Sequence, residues 1–161
     1  VSTGAVGPMG PAGPAGNAMA FGYFFALMPG DNAATVAQGT AIAFPQNGVA
    51  SGIVRVTASP NQFVLPTIGV YEISWQVSVA EAGQLVLGLD SGACVLIQDH
   101  TVAGRATLTS QISNHVLLAT TAVNSILTVR NPAGNSTALT LTPLAGGTSP
   151  ISATLLIKRI Q

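Results

Sequence analysis

The stretch Val70-Tyr71-Glu72-Ile73-Ser74-Trp75-Gln76-Val77-Ser78-Val79 alternates apolar and polar residues from Tyr71 onwards. Successive side chains of a β-strand point to opposite faces of the sheet, so every second residue shares a face. One face of this strand would therefore be wholly apolar, carrying Tyr71, Ile73, Trp75, Val77 and Val79. The pattern predicts a long strand with that face in the core.

Short apolar runs on both sides of this strand indicate more strands. They are separated by turn signals rich in Gly, Pro and Asn, and no stretch has helical periodicity. About ten strands at a spacing of roughly 8 to 15 residues are typical of a sandwich or barrel. Within this scheme we expect a tight turn at Asn47-Gly48, a loop over 99–106 and a turn over 131–135.

The segment from Ala18 to Met28 holds four of the chain's eight aromatic residues. It is apolar on both faces if extended, as expected of a strand covered on both sides. We expect one face to meet the core of its own subunit and the other a neighbouring subunit or sheet. The candidate residues for these contacts are Phe21, Tyr23, Phe24, Phe25 and Leu27.

The composition also favours an assembly. Charged residues make up 6% of the chain and hydrophobic residues 48%, whereas ordinary soluble proteins have about 25% charged residues. A monomer rarely exposes large apolar patches to water. Burial between subunits would remove this difficulty.

The first 16 residues carry a collagen-like repeat. Glycine stands at every third position and proline follows three of these glycines; the glycines are Gly4, Gly7, Gly10, Gly13 and Gly16. Three polyproline-II chains wound on one axis leave room only for glycine at every third position, whereas a flexible linker, the alternative reading of Gly and Pro, has no reason to keep a period. Asn17 breaks the period, so we place the end of a longer collagen-like stalk at 1–16 and a globular head at 17–161. The repeat predicts a homotrimer, and the scarcity of charge predicts the large interface that a homotrimer would provide.

Several functions lack support in the sequence. Basic residues form no cluster beyond the pair Lys158-Arg159, which argues against nucleic acid binding. The longest apolar run, 18–29, is too short for a membrane helix. The chain has one cysteine, Cys94, which we expect to be a buried, inert thiol in a strand, and its two histidines, His100 and His115, match no catalytic or zinc motif. We expect no enzyme activity, cofactor or metal.

A known family shares several of these stretches. The Gly-Pro-x triplets, Phe63-Val64-Leu65, the strand entry 69–74 (Gly-Val-Tyr-Glu-Ile-Ser) and the closing run 153–158 (Ala-Thr-Leu-Leu-Ile-Lys) resemble the C-terminal heads of bacterial collagen-like spore-surface glycoproteins of the BclA type. More distantly, the chain is similar to the complement and tumour-necrosis-factor (TNF) heads.

The resemblance implies a ten-stranded, all-β jelly-roll sandwich that forms a tight homotrimer on a collagen stalk. It also implies a place in the exosporium of the spore, where such heads act as a trimerising cap and as an adhesive, immunogenic surface. The chain departs from complement-type heads in one respect: its five acids are scattered, and no pair matches a Ca²⁺ loop. The resemblance to complement-type heads therefore implies no metal ligand in this chain.

Two other functions remain open on the sequence. The head could bind a host surface protein or a glycan, as complement-type heads do, through loops at 99–105 or 131–135, because function concentrates on loops set on a rigid scaffold. It could also be the tip of a phage or virus fibre, which combines a stalk and a head in the same way.

Overall fold

The computed structural model describes residue 4, residues 19–33 and residues 35–161. The head consists of ten strands: β1 (Phe21–Leu27), β2 (Gln46–Ser51), β3 (Val54–Arg55), β4 (Phe63–Leu65), β5 (Gly69–Val79), β6 (Gly83–Asp90), β7 (Val95–Arg105), β8 (Ser110–Thr120), β9 (Ser125–Arg130) and β10 (Ile151–Arg159). One turn of 3₁₀ helix, Pro143–Gly146, precedes β10, and the described part of the chain has no other helix. Of the repeat glycines, Gly7, Gly10, Gly13 and Gly16 lie outside the described residues, as does the junction of stalk and head.

The strands form two antiparallel sheets of five. The first sheet has the order β2-β1-β10-β5-β8 and the second the order β3-β4-β9-β6-β7. Strands that are distant in sequence are neighbours in both sheets, as in a jelly roll. The fold class predicted from the sequence is confirmed.

The core lies between the two sheets, and β5 supplies its middle. Tyr71, Ile73, Trp75, Val77 and Val79 are all at most 2% exposed. Phe24 of β1 reaches across to Phe63 of β4, with ring centroids 4.6 Å apart. The alternation of β5 therefore corresponds to one face against the second sheet and one face directed away from it.

The long central strand is fixed at its start by the hydroxyl of its tyrosine. Tyr71 Oη donates a hydrogen bond to the carbonyl oxygen of Thr67 (2.7 Å) and accepts one from the backbone N–H of Thr67 (3.2 Å). The ring is buried, and its polar end is satisfied by the turn that leads into β5, as buried tyrosines require.

Two segments, one predicted as a turn and one as a loop, belong to strands instead. Asn47-Gly48 lies inside β2, where Asn47 pairs with Phe24 next to an irregularity in the ladder. Glycine is needed there for close packing rather than for a turn, because a Cβ on Gly48 would collide with the Tyr23 ring.

The predicted loop over 99–106 is also wrong for most of its length, since β7 continues to Arg105. Gln98 pairs with Leu87, and Ala103 pairs with Leu85, so the residues between them form a bulge. Thr101 closes it: its hydroxyl accepts a hydrogen bond from the Leu87 N–H (2.9 Å) and donates one to the Gln98 carbonyl (2.7 Å). The polar composition of this stretch reflects the bulge and an exposed face, which sequence alone does not distinguish from a loop.

Strand directions give the head two distinct ends. The chain enters β1 beside the end of β10, where the Arg159 N–H donates to the Ala20 carbonyl (2.7 Å). We call this the proximal end. The opposite, distal end carries the connections at 80–82, 106–109 and 131–139.

Candidate assembly surface

The surface that combines the most candidate residues is the side of the first sheet that faces away from the core. On β1, Phe24 and Ala26 point inward and are buried, whereas Phe21, Tyr23 and Phe25 alternate with them and are half-buried. The rings of Tyr23 and Phe25 lie 5.9 Å apart. The remaining candidate of this strand, Leu27, is 37% exposed at its end.

Register places two rows of side chains across this sheet. One row runs from Tyr23 through Leu156 and Ser74 to His115. The next runs from Phe21 through Lys158 and Glu72 to Leu117. We call the surface formed by these two rows and Phe25 the outer face of the first sheet.

The β1 side of the outer face is aromatic and aliphatic, since Leu156 lies beside Tyr23. At the β8 side, Leu117 is 56% exposed. Large apolar side chains exposed together on one sheet face mark an interaction surface in soluble proteins. The sequence assigned such a surface to one face of β1, and the strand order adds the residues of β10, β5 and β8 that lie beside it.

Three charged or titratable side chains meet in the middle of the outer face. Lys158 Nζ lies 2.6 Å from Glu72 Oε2, and His115 Nε2 lies 2.9 Å from Glu72 Oε1. The other ring nitrogen of His115, Nδ1, lies 3.0 Å from the Ser74 hydroxyl. Both oxygens of the carboxylate are therefore paired, and its side chain is only 21% exposed.

The contacts with Lys158 and His115 change the pKa of the Glu72 carboxyl. The hydrogen bond from Lys158 lowers the pKa of the Glu72 carboxyl below its ordinary value of 4.5, with a smaller effect from His115, and these effects outweigh the desolvation that would raise it. Glu72 thus stays ionised to lower pH than an isolated glutamate. Sequence reasoning assigned Glu72 only to the polar side of β5, because cross-strand partners from β8 and β10 are not visible in one strand.

The residues considered for catalysis are not brought together. Cys94 is exposed in the turn before β7, which corrects the expectation of a buried thiol. The Gly92 N–H donates to Asp90 Oδ1 (2.8 Å) in the turn between β6 and β7. His100 is exposed on the bulge of β7, whereas His115 belongs to the outer face of the first sheet.

Metal and membrane sites can be assessed for the described residues only. Among them, no three His, Cys, Asp or Glu side chains lie close enough together to hold a metal ion. No helix in the described part of the chain has the length and apolar character needed to cross a membrane.

Comparisons with solved structures identify the fold. Murine APRIL aligns with a TM-score of 0.62 and 12% identity, over 89% of this chain and 100% of that one. Eiger TNF from S. frugiperda aligns with a TM-score of 0.59 and 11% identity, over 89% and 93% of the two chains. The globular domain of zebrafish complement 1qA aligns with a TM-score of 0.52 and 10% identity, over 87% and 93%. No protein-family model matches the chain, and no curated protein matches it in sequence.

The chain therefore has the jelly-roll fold of TNF-type and complement-type heads. At identities of 10 to 12% this likeness establishes architecture and not activity. What the chain does has to be argued from its own surfaces.

Proposed function

We propose that the chain is the trimerising head of a collagen-like filament protein, with the outer face of the first sheet buried between three copies. The single observation that carries this proposal is the apolar surface around Tyr23, Phe25 and Leu156, which lies on one continuous sheet face. Interfaces that hold subunits permanently are more apolar than the rest of a protein's surface. The collagen-like spacing of the first 16 residues supports a number of three.

The charged centre of the outer face is compatible with burial. A lone charge is expensive to remove from water, but a paired and hydrogen-bonded one much less so. Glu72 is already paired with both Lys158 and His115 within one subunit. No charge from a second copy is required to neutralise the carboxylate.

We further propose that the head is displayed on the spore exosporium, as an adhesive and immunogenic outer surface. The support is the resemblance to collagen-like spore-surface glycoproteins, together with a head whose chain entry lies at one end. The distal end would then point away from the stalk and into the medium. A non-enzymatic structural role agrees with this placement.

Sedimentation velocity tests the assembly. The full chain and the segment 17–161 should each sediment with about three times the mass of a single copy, which is 16.1 kDa for the full chain. A single-copy mass for both would overturn the proposal. Immunogold labelling of spores with an antibody against the head tests the location, and labelling absent from the outermost layer would contradict it.

A second function, recognition of a host protein or glycan by the head, is favoured by a polar groove at the distal end. Both segments considered as contact loops, 99–105 and 131–135, contribute residues to it. Because β7 continues to Arg105, the segment 99–105 contributes the end of a strand to the groove and not a free loop.

A further inference from the structure

The distal groove lies on the second sheet and has a volume of about 780 Å³. Its walls are the start of β6, the end of β7 and the turn after β9. The larger residues of its lining are Gln84, Val102, Arg105, Asn135 and Ser136. The groove uses no residue of the outer face of the first sheet, so the proposed assembly would leave it open.

Glycines create the space. Gly83 pairs with Arg105, and Gln84 pairs with Gly104, across β6 and β7. A Cβ on Gly104 would lie 2.6 Å from Gln84 Cγ, and one on Gly83 would lie 2.8 Å from Leu139 Cδ2. A larger residue at Gly83 or Gly104 would push the surrounding side chains away. With glycine at both positions, the backbone itself lines the groove.

The walls are fixed to each other before any ligand arrives. Asn135 Nδ2 donates one hydrogen bond to the Gln84 carbonyl (3.0 Å) and another to Asn131 Oδ1. Both amide hydrogens of Asn135 are thus used within the protein. Its carbonyl oxygen Oδ1 is left as an acceptor at the groove, held in place by the two bonds.

One cation, Arg105, is among the residues that line the groove. The exposed side chain of Arg105 makes no hydrogen bond or ion pair with any described residue, and its backbone pairs with Gly83 in the sheet. The acid nearest in sequence to this pair is Glu81, two residues before Gly83, and its Oε2 accepts a hydrogen bond from the Thr140 N–H (2.7 Å). The guanidinium is therefore available to an external anion.

We propose that this groove binds a sugar that carries a carboxylate, with Arg105 holding the carboxylate. A guanidinium presents parallel N–H donors that match a carboxylate with two bonds. The Asn135 oxygen, the Gln84 amide and the Ser136 hydroxyl offer donors and acceptors for ring hydroxyls. The volume falls within the range of about 300 to 1,000 Å³ that small-ligand sites occupy.

An acidic peptide fits the groove less well. Peptides commonly bind as an added strand at a free sheet edge, but on the edge strand β7 the Thr101 carbonyl already accepts a hydrogen bond from Asn114 Nδ2 (3.0 Å). The lining also offers only one larger apolar side chain, Val102, for a peptide side chain to contact.

The position of the groove at the distal end would make binding multivalent, and this part of the inference rests on the proposed trimer. Three copies would present three grooves at the distal end, pointing away from the stalk. Binding of a multivalent glycan could then exceed the affinity of a single groove by about 10²- to 10⁴-fold. A weak single site would suffice for attachment to a glycan-coated surface.

The test uses the full chain and defined oligosaccharides ending in glucuronic or sialic acid, with neutral analogues and acidic peptides as comparators. Affinities are measured by calorimetry. We expect acidic oligosaccharides to bind and Arg105→Gln to weaken them about 10- to 100-fold, as the loss of a charge-assisted pair predicts. Arg55→Gln, which changes an arginine on the second sheet's other edge, should bind as the unaltered chain does.

A second variant blocks the groove without removing charge. A Cβ on Gly134 meets no atom within 4 Å, so Gly134→Phe should fill the groove, keep the fold and lose binding of acidic oligosaccharides. No binding of these sugars, equal binding by Arg105→Gln, or stronger Arg105-dependent binding of acidic peptides would overturn the proposal. Sedimentation of the same samples separates the two ideas: a monomer that binds sugar contradicts only the trimer, and a trimer that binds none contradicts only the groove.

Discussion

Lys158 Nζ lies 2.6 Å from Glu72 Oε2, at the centre of the outer face of the first sheet. The two residues belong to neighbouring strands and are directly opposite in register. Opposite charges in this arrangement support sheet pairing. They also leave the surrounding aromatic and aliphatic surface without an isolated charge, which is what a buried interface requires.

The ion pair between Glu72 and Lys158 should make the stability of the protein depend on pH. Because the pKa of Glu72 is lowered in the folded protein, its contribution is present above the ordinary carboxyl value and is lost as pH falls below about 4.5, through the folded pKa. Glu72→Gln should lower the melting temperature at pH 7, and the difference from the unaltered chain should shrink on acidification. Thermal unfolding followed by circular dichroism between pH 7 and 3 measures it.

Asp99→Asn serves as the control, because Asp99 is exposed on the bulge of β7 and forms no ion pair among the described residues. Its melting temperature should stay close to that of the unaltered chain at every pH. A constant gap between Glu72→Gln and the unaltered chain down to pH 3 would show that the Glu72 carboxylate is not the cause.

Trp75 is the largest fully packed side chain of the core, at 2% exposure. Trp75→Ala should reduce the free energy of unfolding by about 3 to 5 kcal/mol, through lost burial and the cavity left behind. Urea unfolding at a fixed chain concentration measures this loss. Gln38→Ala, at an exposed turn, should change it by less than about 0.5 kcal/mol, and equal losses for the two variants would contradict the assignment of β5 to the core.

Gly69, at the start of β5, is held against the end of the chain. A Cβ there would collide with the Gln161 carbonyl oxygen and lie 3.0 Å from Arg159 Nε. Gly69→Ala should therefore destabilise the head by about 1 to 3 kcal/mol, whereas Gly134→Ala, with open space around its Cβ, should be nearly neutral. Unfolding curves of the two variants compare them, and a neutral Gly69→Ala would mean that the C-terminal residues do not pack on β5.

The fold was predictable where one strand carried its own pattern. The alternation from Tyr71 to Val79 sets which face of β5 is buried without reference to any other element, and the spacing of the apolar runs indicated about ten strands. Sequence patterns did not predict the role of a residue when that role depends on a neighbouring strand. Gly48 makes room for the Tyr23 ring, and Thr101 closes a bulge against Leu87; in sequence the first resembles a turn and the second a loop.

The candidate surface was predictable only in part, for the same reason. The aromatic content of β1 indicated a second buried face, but the neighbours of that face come from β10 and β5. The partners of Glu72 and the position of Arg105 beside Asn135 depend on strand order across long stretches of chain. The sequence indicated an apolar surface on β1, and the topology supplied the residues of the other strands that complete it.

Substitution in the middle of the outer face should break the assembly and leave the fold intact. Leu156→Glu places a carboxylate beside Tyr23, where burial between copies would strip it of water at a cost of several kcal/mol. Sedimentation velocity should show a single-copy mass with an unchanged circular dichroism spectrum. Val54→Glu, at an exposed position on the edge of the second sheet, should remain a trimer, and its dissociation would place the interface elsewhere.

The chain contains two tyrosines, and they report on the two faces of the first sheet: Tyr71 is buried in the core and Tyr23 is half-buried on the outer face. Nitration with tetranitromethane, read by mass spectrometry, therefore tests directly whether copies of the chain cover the outer face. We predict that Tyr23 is protected in the unaltered chain and nitrated in Leu156→Glu, while Tyr71 is protected in both. Nitration of Tyr23 at the same rate in the unaltered chain and in Leu156→Glu would contradict burial of this face between subunits.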